Sequence, residues 1–339
     1  MYYTGIDQHK ITSYLTTVDS EGIILKQANV KNTSHDILNY FSQFKGSHQA
    51  TVETTGGWYW MSDLLESEGI QLSLAHAKYV KAIAYSKVKT DKVDSQILAQ
   101  LLRMNFIPEA HKIANDIRPL RDTLRARLRL SQKRTSALNF MHRMLEKFNI
   151  NNPEELDHYY SLQYQQFDEQ ATLIKEQMLI LEKSLYPKLI PNDDIQRLLW
   201  IPGIGKLNAF SILLEVDDIN RFPSENNFFS YCRLVPAANN SGGKTRQKSS
   251  PKDGNKYLKI VFSDAAVHAI HYYPVIRKYY NSKLRRKNKQ VAKAIISKEI
   301  ARIVYHTLKN KTDFNHFFKG IELQHRKTKQ WPRVTSPNV

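Results

Sequence analysis

Four carboxylates near the start of the chain occupy three short motifs whose residue types could build a metal site. Asp7 lies in Gly-Ile-Asp-Gln-His-Lys, and Glu53 lies in Thr-Val-Glu-Thr-Thr-Gly-Gly. Asp91 and Asp94 share the motif Lys-Thr-Asp-Lys-Val-Asp. Clustered carboxylates bind hard divalent cations such as Mg²⁺. Two such ions about 4 Å apart can activate a nucleophile and stabilise a leaving oxygen in phosphodiester chemistry. The motifs therefore predict a site for a pair of Mg²⁺ ions held by all four acids.

The charge balance of the chain indicates that the substrate is nucleic acid. The 339 residues include 50 Lys and Arg against 32 Asp and Glu, which gives a net charge of +18 and a pI near 9.7. A charge of this size favours a polyanionic partner. A basic ribosomal or membrane-surface protein would have a similar balance, but a purely electrostatic binder gains nothing from clustered acids.

The elements needed to bring the acids together can be predicted from the pattern of the first 110 residues. Runs of β-branched and aromatic residues predict two strands within 2–18 and further strands at 23–30, 49–53 and 71–75. Helices are predicted at 34–44, with Ser34 as its cap, at 58–68 and through most of 77–102. The order β-β-β-α-β-α-β-α is the plan of a ribonuclease H-like domain.

That plan gives each acid a place. Asp7 lies in the first strand and Glu53 closes the fourth, and these strands are neighbours in a ribonuclease H-like sheet. Asp91 and Asp94 are separated by three residues, so they share one face of a helix or of its first turn. Each acid alone could be a helix cap or a surface charge, but four in these positions favour one site.

Residues 113–190 change in character and predict a helical hairpin. Apolar residues recur at spacings of three and four on both limbs, and the turn is predicted near Asn151-Asn152-Pro153. The outgoing limb has Ile117, Leu120, Leu124, Leu138, Met141, Leu145 and Phe148, and the return limb has Ile174, Met178, Leu181 and Leu185. Polar residues at 127, 131 and 134 interrupt the seam, and they indicate either a dimer contact or a nucleic-acid groove.

The outgoing limb is also strongly basic, with only Asp122 and Glu146 as acids among its cations. A solvated helix face usually mixes both signs, so this excess is better explained by contact with a phosphate backbone. The candidate nucleic-acid-binding residues on this limb are Arg118, Arg121, Arg125, Arg129 and Arg134.

Residues 195–320 predict a second compact unit that is mainly helical. The sequence Ile-Pro-Gly-Ile-Gly-Lys at 201–206 precedes an apolar helix at 207–216 and is typical of the turn of a helix-hairpin-helix. Gly203 and Gly205 would let backbone N–H groups approach a phosphate, with Lys206 beside them and without reading bases. A plain turn between helices is the alternative. Further helices are predicted at 255–271 and 291–309.

A polar loop is predicted at 234–243, with Ser-Gly-Gly at its end, and cations follow it. We expect Lys244, Arg246 and Lys248 to contact nucleic acid, together with Arg285 and Arg286 in a second basic run. The chain therefore divides into an α/β domain at 1–110, an all-α arm at 111–192, a helical domain at 193–322 and a basic, partly disordered tail at 323–339.

The compartment follows from composition. Cys232 is the single cysteine, so neither a disulfide nor a cysteine-based zinc site is possible within one chain. No apolar run approaches the ~18 residues that a membrane span needs, and no signal peptide precedes the first strand. We expect a soluble cytoplasmic protein with no membrane partner.

Taken in order, the motifs make the chain similar to the DEDD transposases of the insertion-sequence one-ten family, which includes the Piv-type DNA invertases. Gly-Ile-Asp-x-His-Lys, Glu-Thr-Thr-Gly-Gly and Lys-Thr-Asp-x-x-Asp carry the resemblance in the first half. Ile-Pro-Gly-Ile-Gly, Leu-x-Pro with Ser-Gly, and Gly-Asn-x-x-Leu carry it in the second. Two positions depart from the family pattern, Arg233 in place of Gly and Lys259 in place of Arg.

The resemblance implies a RuvC-like domain with the four acids, a coiled-coil arm that dimerises, and a C-terminal transposase domain. It also implies that Ser241 is a nucleophile that links covalently to DNA, with the active site completed across protomers. A bacterial, nucleoid-associated protein is expected, acting as a dimer or a dimer of dimers. Donor and target DNA would be chosen by a structured RNA that the element encodes, so base pairing would supply the specificity.

Other functions remain open at this stage. A Holliday-junction-resolving nuclease uses the same acids with water as nucleophile, but it has no need of residues 195–320. An invertase that works without RNA could share the whole active site, and a catalytically dead scaffold would not need the acids. A tyrosine recombinase would need His-x-x-Arg, which the chain lacks. His268 and His271 could suggest a metal pair, but with no third ligand nearby they are better explained as core or surface residues.

Overall fold

The computed structural model describes residues 1–54, 56–84, 90–190, 192–241, 244–248, 253–315, 317–319 and 321–322. The chain divides into two compact units, Met1–Ile113 and Ala114–Val339. The division lies close to the boundary that the sequence predicts at residue 110. The boundary predicted at 192 has no counterpart in this division, because the helical arm and the C-terminal helices belong to one unit. The predicted tail at 323–339 lies outside the described residues.

The first unit is built on a mixed sheet with the strand order β3-β2-β1-β4-β5. Strands β1, β2 and β3 pair antiparallel, while β4 runs parallel to both β1 and β5. The strands are β1 (Tyr2–Gln8), β2 (Thr12–Val18), β3 (Ile24–Lys31), β4 (His48–Glu53) and β5 (Gln71–Ala75), and the helices are α1 (Ser34–Phe41), α2 (Trp58–Ser67), α3 (Ala77–Ile83) and α4 (Asp91–Arg103). The predicted element order and the pairing of the first and fourth strands are confirmed.

Two local predictions in this unit were wrong. The cap of α1 is Thr33, whose hydroxyl accepts a hydrogen bond from the backbone N–H of Asp36, and Ser34 is already the first helical residue. The helix predicted through most of 77–102 is two helices, and residues 85–89 between them lie outside the described residues. Thr90 begins the second helix by accepting a hydrogen bond from the N–H of Val93, a capping interaction that typically stabilises a helix by about 1 kcal/mol.

The sheet has a different covering on each face. Side chains of β1 alternate, so Ile6 enters a core with Leu15, Val52 and Leu65 beneath α1 and α2. Gly5 and Asp7 point to the opposite face, which α4 covers. The acid of the first strand therefore lies on the same side of the sheet as the helix that carries the other two aspartates.

The second unit begins with the predicted hairpin, formed by α5 (Ile117–Phe148) and α6 (His158–Leu189) around a short turn at Pro153–Glu155. The limbs are antiparallel, since the rings of Phe140 and Phe167 lie 4.1 Å apart between centroids. The buried seam differs by one position from the predicted one near the tip. Met144 is buried, whereas Phe148 is 41% exposed, because the seam follows the helix as it turns by 3.6 residues rather than a strict heptad.

The base of the hairpin is continuous with the C-terminal helices. Leu124, Leu185 and Leu189 are buried in the same apolar cluster as Phe210 and Phe262. Full burial of one such leucine contributes roughly 2 kcal/mol. The remaining elements are α7 (Asp193–Leu199), α8 (Lys206–Val216), α9 (Glu225–Tyr231), β6 (Ala237–Ser241), β7 (Lys244–Lys248), α10 (Lys256–Tyr272), α11 (Pro274–Leu284), α12 (Lys289–Asn310), β8 (Phe317–Phe318) and β9 (Ile321–Glu322).

The prediction of a loop at 234–243 is corrected by the structure. Its residues 237–241 form β6, which pairs antiparallel with β7 in the register Ser241↔Lys244. A Gly-Gly pair at 242–243 separates the two strands, and such a pair is a recognised two-residue hairpin connection. Among the helices that the structure describes, none is long and apolar enough to cross a membrane.

A buried polar chain joins β1, β2, β4 and α1 in the first unit. The hydroxyl of Thr4 lies 2.6 Å from His48 Nε2 and 2.7 Å from the hydroxyl of Thr17, which lies 2.8 Å from that of Tyr40. Tyr40 donates in turn to the carbonyl of Lys26 at 3.3 Å. Burial, and to a smaller extent the charge of the chain's amino terminus, lowers the pKa of His48 from 6.5 to about 4.

This pKa predicts acid sensitivity in the first unit. The depressed pKa means that folded His48 stays neutral while unfolded His48 takes up a proton below about pH 6.5. Its contribution to the free energy of unfolding is therefore complete above pH 6.5 and is lost as the pH falls toward 4, by at most about 1.4 kcal/mol per pH unit.

Urea unfolding from pH 4.5 to 7.5 checks this, followed by fluorescence of Trp58 and Trp60 in a background with Trp200 and Trp331 changed to Phe. We expect the stability difference between wild type and His48→Asn to shrink as the pH falls. A difference that does not vary with pH would contradict the assignment.

Candidate active site

Asp7 and Glu53 lie side by side at the same edge of the sheet. The parallel register of β1 and β4 pairs Gly5 with Thr51 and Ile6 with Val52, so Asp7 and Glu53 follow at the next position. Residues opposite each other in a ladder point to the same face, and neighbouring strands are about 4.8 Å apart. Both side chains are half-buried. The sequence prediction that these two acids are neighbours is therefore supported by the register.

Gly5 sets the distance between this edge and α4. A Cβ atom placed on Gly5 would lie 2.1 Å from the carbonyl oxygen of Ser95 and 2.4 Å from the backbone nitrogen of Ala99. Only glycine permits so close an approach of helix to strand. The hydroxyl of Ser95, which is buried, lies 2.7 Å from that of Thr16, the residue opposite Gly5 on β2. This bond fixes the rotation of α4 on the sheet.

The close approach brings Asp91 over Asp7. Asp91 lies one helical turn before Ser95, and Asp7 lies two residues after Gly5 on the same face of β1. The carboxylates share one neighbour, because His9 Nε2 lies 3.4 Å from Asp7 Oδ2 and 3.3 Å from Asp91 Oδ2. Asp7 is 19% exposed and Asp91 is 55% exposed. The site is therefore open to solvent on the helix side and enclosed on the strand side.

The side chains at this edge fit a divalent cation. One ligand atom each from Asp7, His9 and Asp91 lie within 4.8 Å of one another. Carboxylate oxygens are preferred by Mg²⁺ and Ca²⁺, and an imidazole nitrogen is accepted by Mn²⁺ or Zn²⁺. Glu53 and Asp94 are outside this group of three within the described residues. Asp94 is half-buried in the first turn of α4, beside Asp91.

His9 is a site residue that the sequence analysis missed. It follows β1 in a loop held by hydrogen bonds from its N–H to the carbonyl of Thr12 and from the amide of Asn32 to its own carbonyl, at 3.0 and 2.8 Å. The signal was available, because Asp7 and His9 are two residues apart and an extended chain places such residues on one side.

Ser241 lies at the end of β6, where its backbone pairs with that of Lys244. Lys244, Arg246 and Lys248 occupy alternate positions of β7. The nucleophile assignment and the phosphate contacts of this hairpin stay predictions.

The arm cations divide into structural and exposed groups, and this corrects part of the predicted interface. Arg118 and Arg121 are 5% and 8% exposed, so their guanidinium groups are not presented to a phosphate backbone. Arg125 Nε and Nη2 donate to Glu215 Oε1 and Oε2 at 2.6 and 2.7 Å, which makes it an internal partner. Arg129 is exposed, and Arg134 is half-buried. These last two remain candidates.

The turn between α7 and α8 also differs in detail from the prediction. Gly203 has φ +83°, and a Cβ on it would lie 2.0 Å from the carbonyl of Ala265 on α10. This glycine is therefore required for packing between helices, and its predicted approach to a phosphate stays a prediction. Gly205 begins α8 with open space around it, and Lys206 extends over the ring of Tyr186 at 5.2 Å. Arg285 and Arg286 are exposed after α11.

Comparison with known proteins finds two family models. A model described as Transposase, of the DEDD type found in IS110 elements, matches residues 4–150. The model described as Transposase IS116/IS110/IS902 family matches residues 195–281. The first match contains all four acids, and the second contains the turn at Gly203 and Ser241. Together they extend over most of the chain.

Individual relatives give the same result. The chain is 24% identical over 273 residues to the transposase for insertion sequence element IS1328 of Yersinia enterocolitica, covering 75% of this chain and 81% of the relative. It is 23% identical over 283 residues to the transposase for insertion sequence element IS1111A of Coxiella burnetii, covering 77% and 76%.

The contact at Gly5 gives a prediction for the metal site. Gly5→Ala should push α4 off β1, because the added methyl group meets rigid backbone, and we expect a loss of about 3 kcal/mol in unfolding free energy with weaker Mn²⁺ binding. Urea unfolding and calorimetry with Mn²⁺ measure both. Gly56→Ala is the matched control, since nothing lies within 4 Å of the added atom. Equal stability and Mn²⁺ affinity in the two variants would contradict the role of Gly5.

Proposed function

The chain belongs to the IS110 family of insertion-sequence transposases, and on this premise we propose that it cuts and rejoins DNA through a serine nucleophile beside a divalent-metal site. The observation that carries the proposal is the meeting of Asp7 and Asp91, which lie 84 positions apart in the chain and within 3.4 Å of one imidazole nitrogen. An acid pair built from two distant motifs and placed at an open edge suits a phosphodiester substrate.

The metal ligands in this proposal are Asp7, Glu53, Asp91 and Asp94, which hold Mg²⁺, two ions for each site. A bound pair supplies positive charge to the attacking and leaving oxygens of a displacement at phosphorus. His9 lies between Asp7 and Asp91 in this structure, and its position beside them also allows it to orient the substrate. The carboxylates fix the place of the reaction because the sheet and α4 hold them rigidly.

Ser241 is the nucleophile in the proposed reaction. Its Oγ attacks the phosphodiester, the Oγ–P bond forms, and the bond from phosphorus to the DNA leaving oxygen breaks. The hydroxyl proton passes to solvent water, and the leaving oxygen takes up a proton from solvent and ends as a DNA hydroxyl. A hydroxyl of another strand then reverses the step. The covalent link conserves the bond energy, so exchange needs no external energy source.

The reaction requires the two units to meet, and we propose that they do so between protomers of a dimer. The exposed apolar residues of the arm, such as Leu173 and Ile180, support a dimer contact. DNA is held through its backbone by Arg129, Arg285 and Arg286, which are exposed. The other contacts in this proposal come from Arg134, Lys206, Lys244, Arg246 and Lys248, with the backbone of Gly205. None of these contacts selects a sequence by itself.

We propose that a structured RNA encoded by the element supplies the sequence specificity through base pairing. The resemblance to the insertion-sequence family supports this, and a charge of +18 suits a second polyanionic partner. An invertase that needs no RNA and a junction-resolving nuclease with water as nucleophile are the alternatives that the following experiments separate.

The nucleophile is tested by trapping the covalent intermediate. With Mg²⁺ and DNA carrying the ends of the element, wild type should form a denaturation-resistant protein–DNA adduct. Ser241→Ala should lose it by ~10³-fold or more while binding DNA normally, because no other group replaces the hydroxyl. Asp91→Asn should lose it as well, and Ser282→Ala is the control. Nicking by Ser241→Ala at the wild-type rate, without an adduct, would identify water as nucleophile and favour the resolvase.

The RNA is tested by purification. We expect the protein, expressed with its native flanking DNA and washed in ~0.5 M salt to remove weak electrostatic binding, to retain one discrete RNA that matches the flank. Sequencing of the retained RNA measures this. Heterogeneous RNA, or none despite confirmed transcription of the flank, would favour the invertase that works without RNA.

A further inference from the structure

The segment that carries Ser241 leaves and re-enters the helical unit at one point. The backbone N–H of Asn255 donates to the carbonyl of Tyr231 at 2.6 Å, and Arg233 Nε donates to the carbonyl of Gly254 at 2.8 Å. A Cβ on Gly254, which has φ +91°, would lie 2.5 Å from the Tyr231 carbonyl. We call these four residues the neck. The hairpin of β6 and β7 extends from the neck.

Two features of the sequence are explained by the neck. Gly254 and Asn255 begin the Gly-Asn-x-x-Leu motif, whose glycine is needed for the close approach to Tyr231. Arg233 stands where the resembling sequences usually have glycine, and it has φ +56°. That left-handed conformation favours glycine, and here the bond from Arg233 to Gly254 closes the neck with a side chain.

A buried carboxylate lies directly beneath the neck. Glu215, near the end of α8, is 3% exposed. Its Oε2 accepts from Asn255 Nδ2 at 2.7 Å, and its backbone carbonyl accepts from the hydroxyl of Tyr231 at 3.4 Å. Asn255 also caps α10, because its Oδ1 accepts from the N–H groups of Tyr257 and Leu258 at 2.9 and 3.1 Å. Tyr231 and Asn255, at the two ends of the neck, are thus both hydrogen-bonded to Glu215.

The same carboxylate is tied to the arm. Arg125 of α5 donates to both oxygens of Glu215, and its guanidinium group lies 4.5 Å from the ring centroid of Tyr257. Burial opposes the charge of Arg125, but the hydrogen bond and charge of Glu215 outweigh it, so the pKa of Arg125 is raised. Arm, α8 and neck therefore meet in one network whose bonds have fixed directions.

We propose that Glu215 is a positioning residue for the strand-transfer reaction. Glu215 joins Arg125 of the arm to Asn255 of the neck, and it thereby sets the placement of the Ser241 hairpin relative to the arm. The proposal rests on the proposed function of Ser241. A buried ion pair adds little net stability over apolar side chains of the same volume, and the nearby apolar core already attaches the arm. The pair of Arg125 and Glu215 instead fixes the orientation of α5 relative to α8, since two parallel hydrogen bonds between the same groups restrict their geometry.

Spin-label distance measurements on the full chain test this directly. Cys232, the single natural cysteine, is fully buried, so labels attach at introduced cysteines. One pair, Gln132→Cys on the arm and Gln247→Cys on β7, reports the hairpin. A second pair, Gln132→Cys and Gln290→Cys on α12, reports the attachment of the arm to the helices. In Glu215→Gln we expect a broad distribution for the first pair and the narrow wild-type distribution for the second.

The kinetic effect should be confined to the chemical step. We expect Glu215→Gln to slow formation of the Ser241–DNA adduct by about 10²-fold under single turnover, since a displacement of about 1 Å can cost that much, with DNA affinity unchanged. Glu182→Gln is the matched control. It breaks the Arg127–Glu182 pair, 2.7 Å long and confined to the arm, and should leave both the distances and the rate at wild-type values.

Glu215→Gln could misfold because it leaves Arg125 without its carboxylate, and the distance distributions of both label pairs would then be broad. A second variant keeps the test decisive in that case. Arg125→Met with Glu215→Gln removes the stranded charge, and the hairpin pair alone should broaden. A narrow hairpin distribution, or a broad one with the wild-type rate, overturns the proposal. Normal adduct formation by Ser241→Ala would instead refute the proposed nucleophile. The label distances would then still show whether Glu215 sets the placement of the hairpin.

Discussion

The absence of a side chain at Gly5 is the constraint on which the metal site depends. Two acid motifs that are far apart in the chain meet because α4 lies against β1 at a distance that any Cβ would prevent. The contact brings like charges together, and two unit charges about 4 Å apart repel by about 1 kcal/mol in water and about 4 kcal/mol near a protein surface. Packing of α4 and the Thr16–Ser95 hydrogen bond oppose that repulsion before any cation binds.

Most of the first unit could be predicted from the sequence because the signals for its strands and helices are local. Strand alternation, turn residues and spacing predicted the element order and the neighbouring places of Asp7 and Glu53. His9 was not predicted because an imidazole is less typical of a Mg²⁺ site than a carboxylate, although its spacing from Asp7 is visible in the sequence. The break between α3 and α4 was missed because apolar and charged residues continue through it, and a cap such as Thr90 is recognised only when the helix is known to begin there.

The arm shows where sequence reasoning fails for a physical reason. An excess of arginine on one helix indicated a phosphate surface, but the partners of those arginines are remote in sequence. Glu215 is 90 residues from Arg125, and Glu182 is 55 from Arg127. A count of cations along one helix treats such arginines as free, whereas in the fold they pair with acids from other helices. Among the described residues, exposed cations such as Arg129 and Arg285 lie on separate elements, so the cation count of α5 overstates the positive charge that this helix presents to solvent.

The closed neck of the hairpin has a consequence for how this scaffold can change over evolution. A segment whose two ends are hydrogen-bonded to each other is attached to the rest of the protein at a single place. Its length and content can vary at small cost to the supporting helices, because loop-closure entropy grows only slowly with length. The part of the sequence between Ser241 and Gly254 can then vary, while Tyr231, Gly254 and Asn255 are held by the packing beneath them.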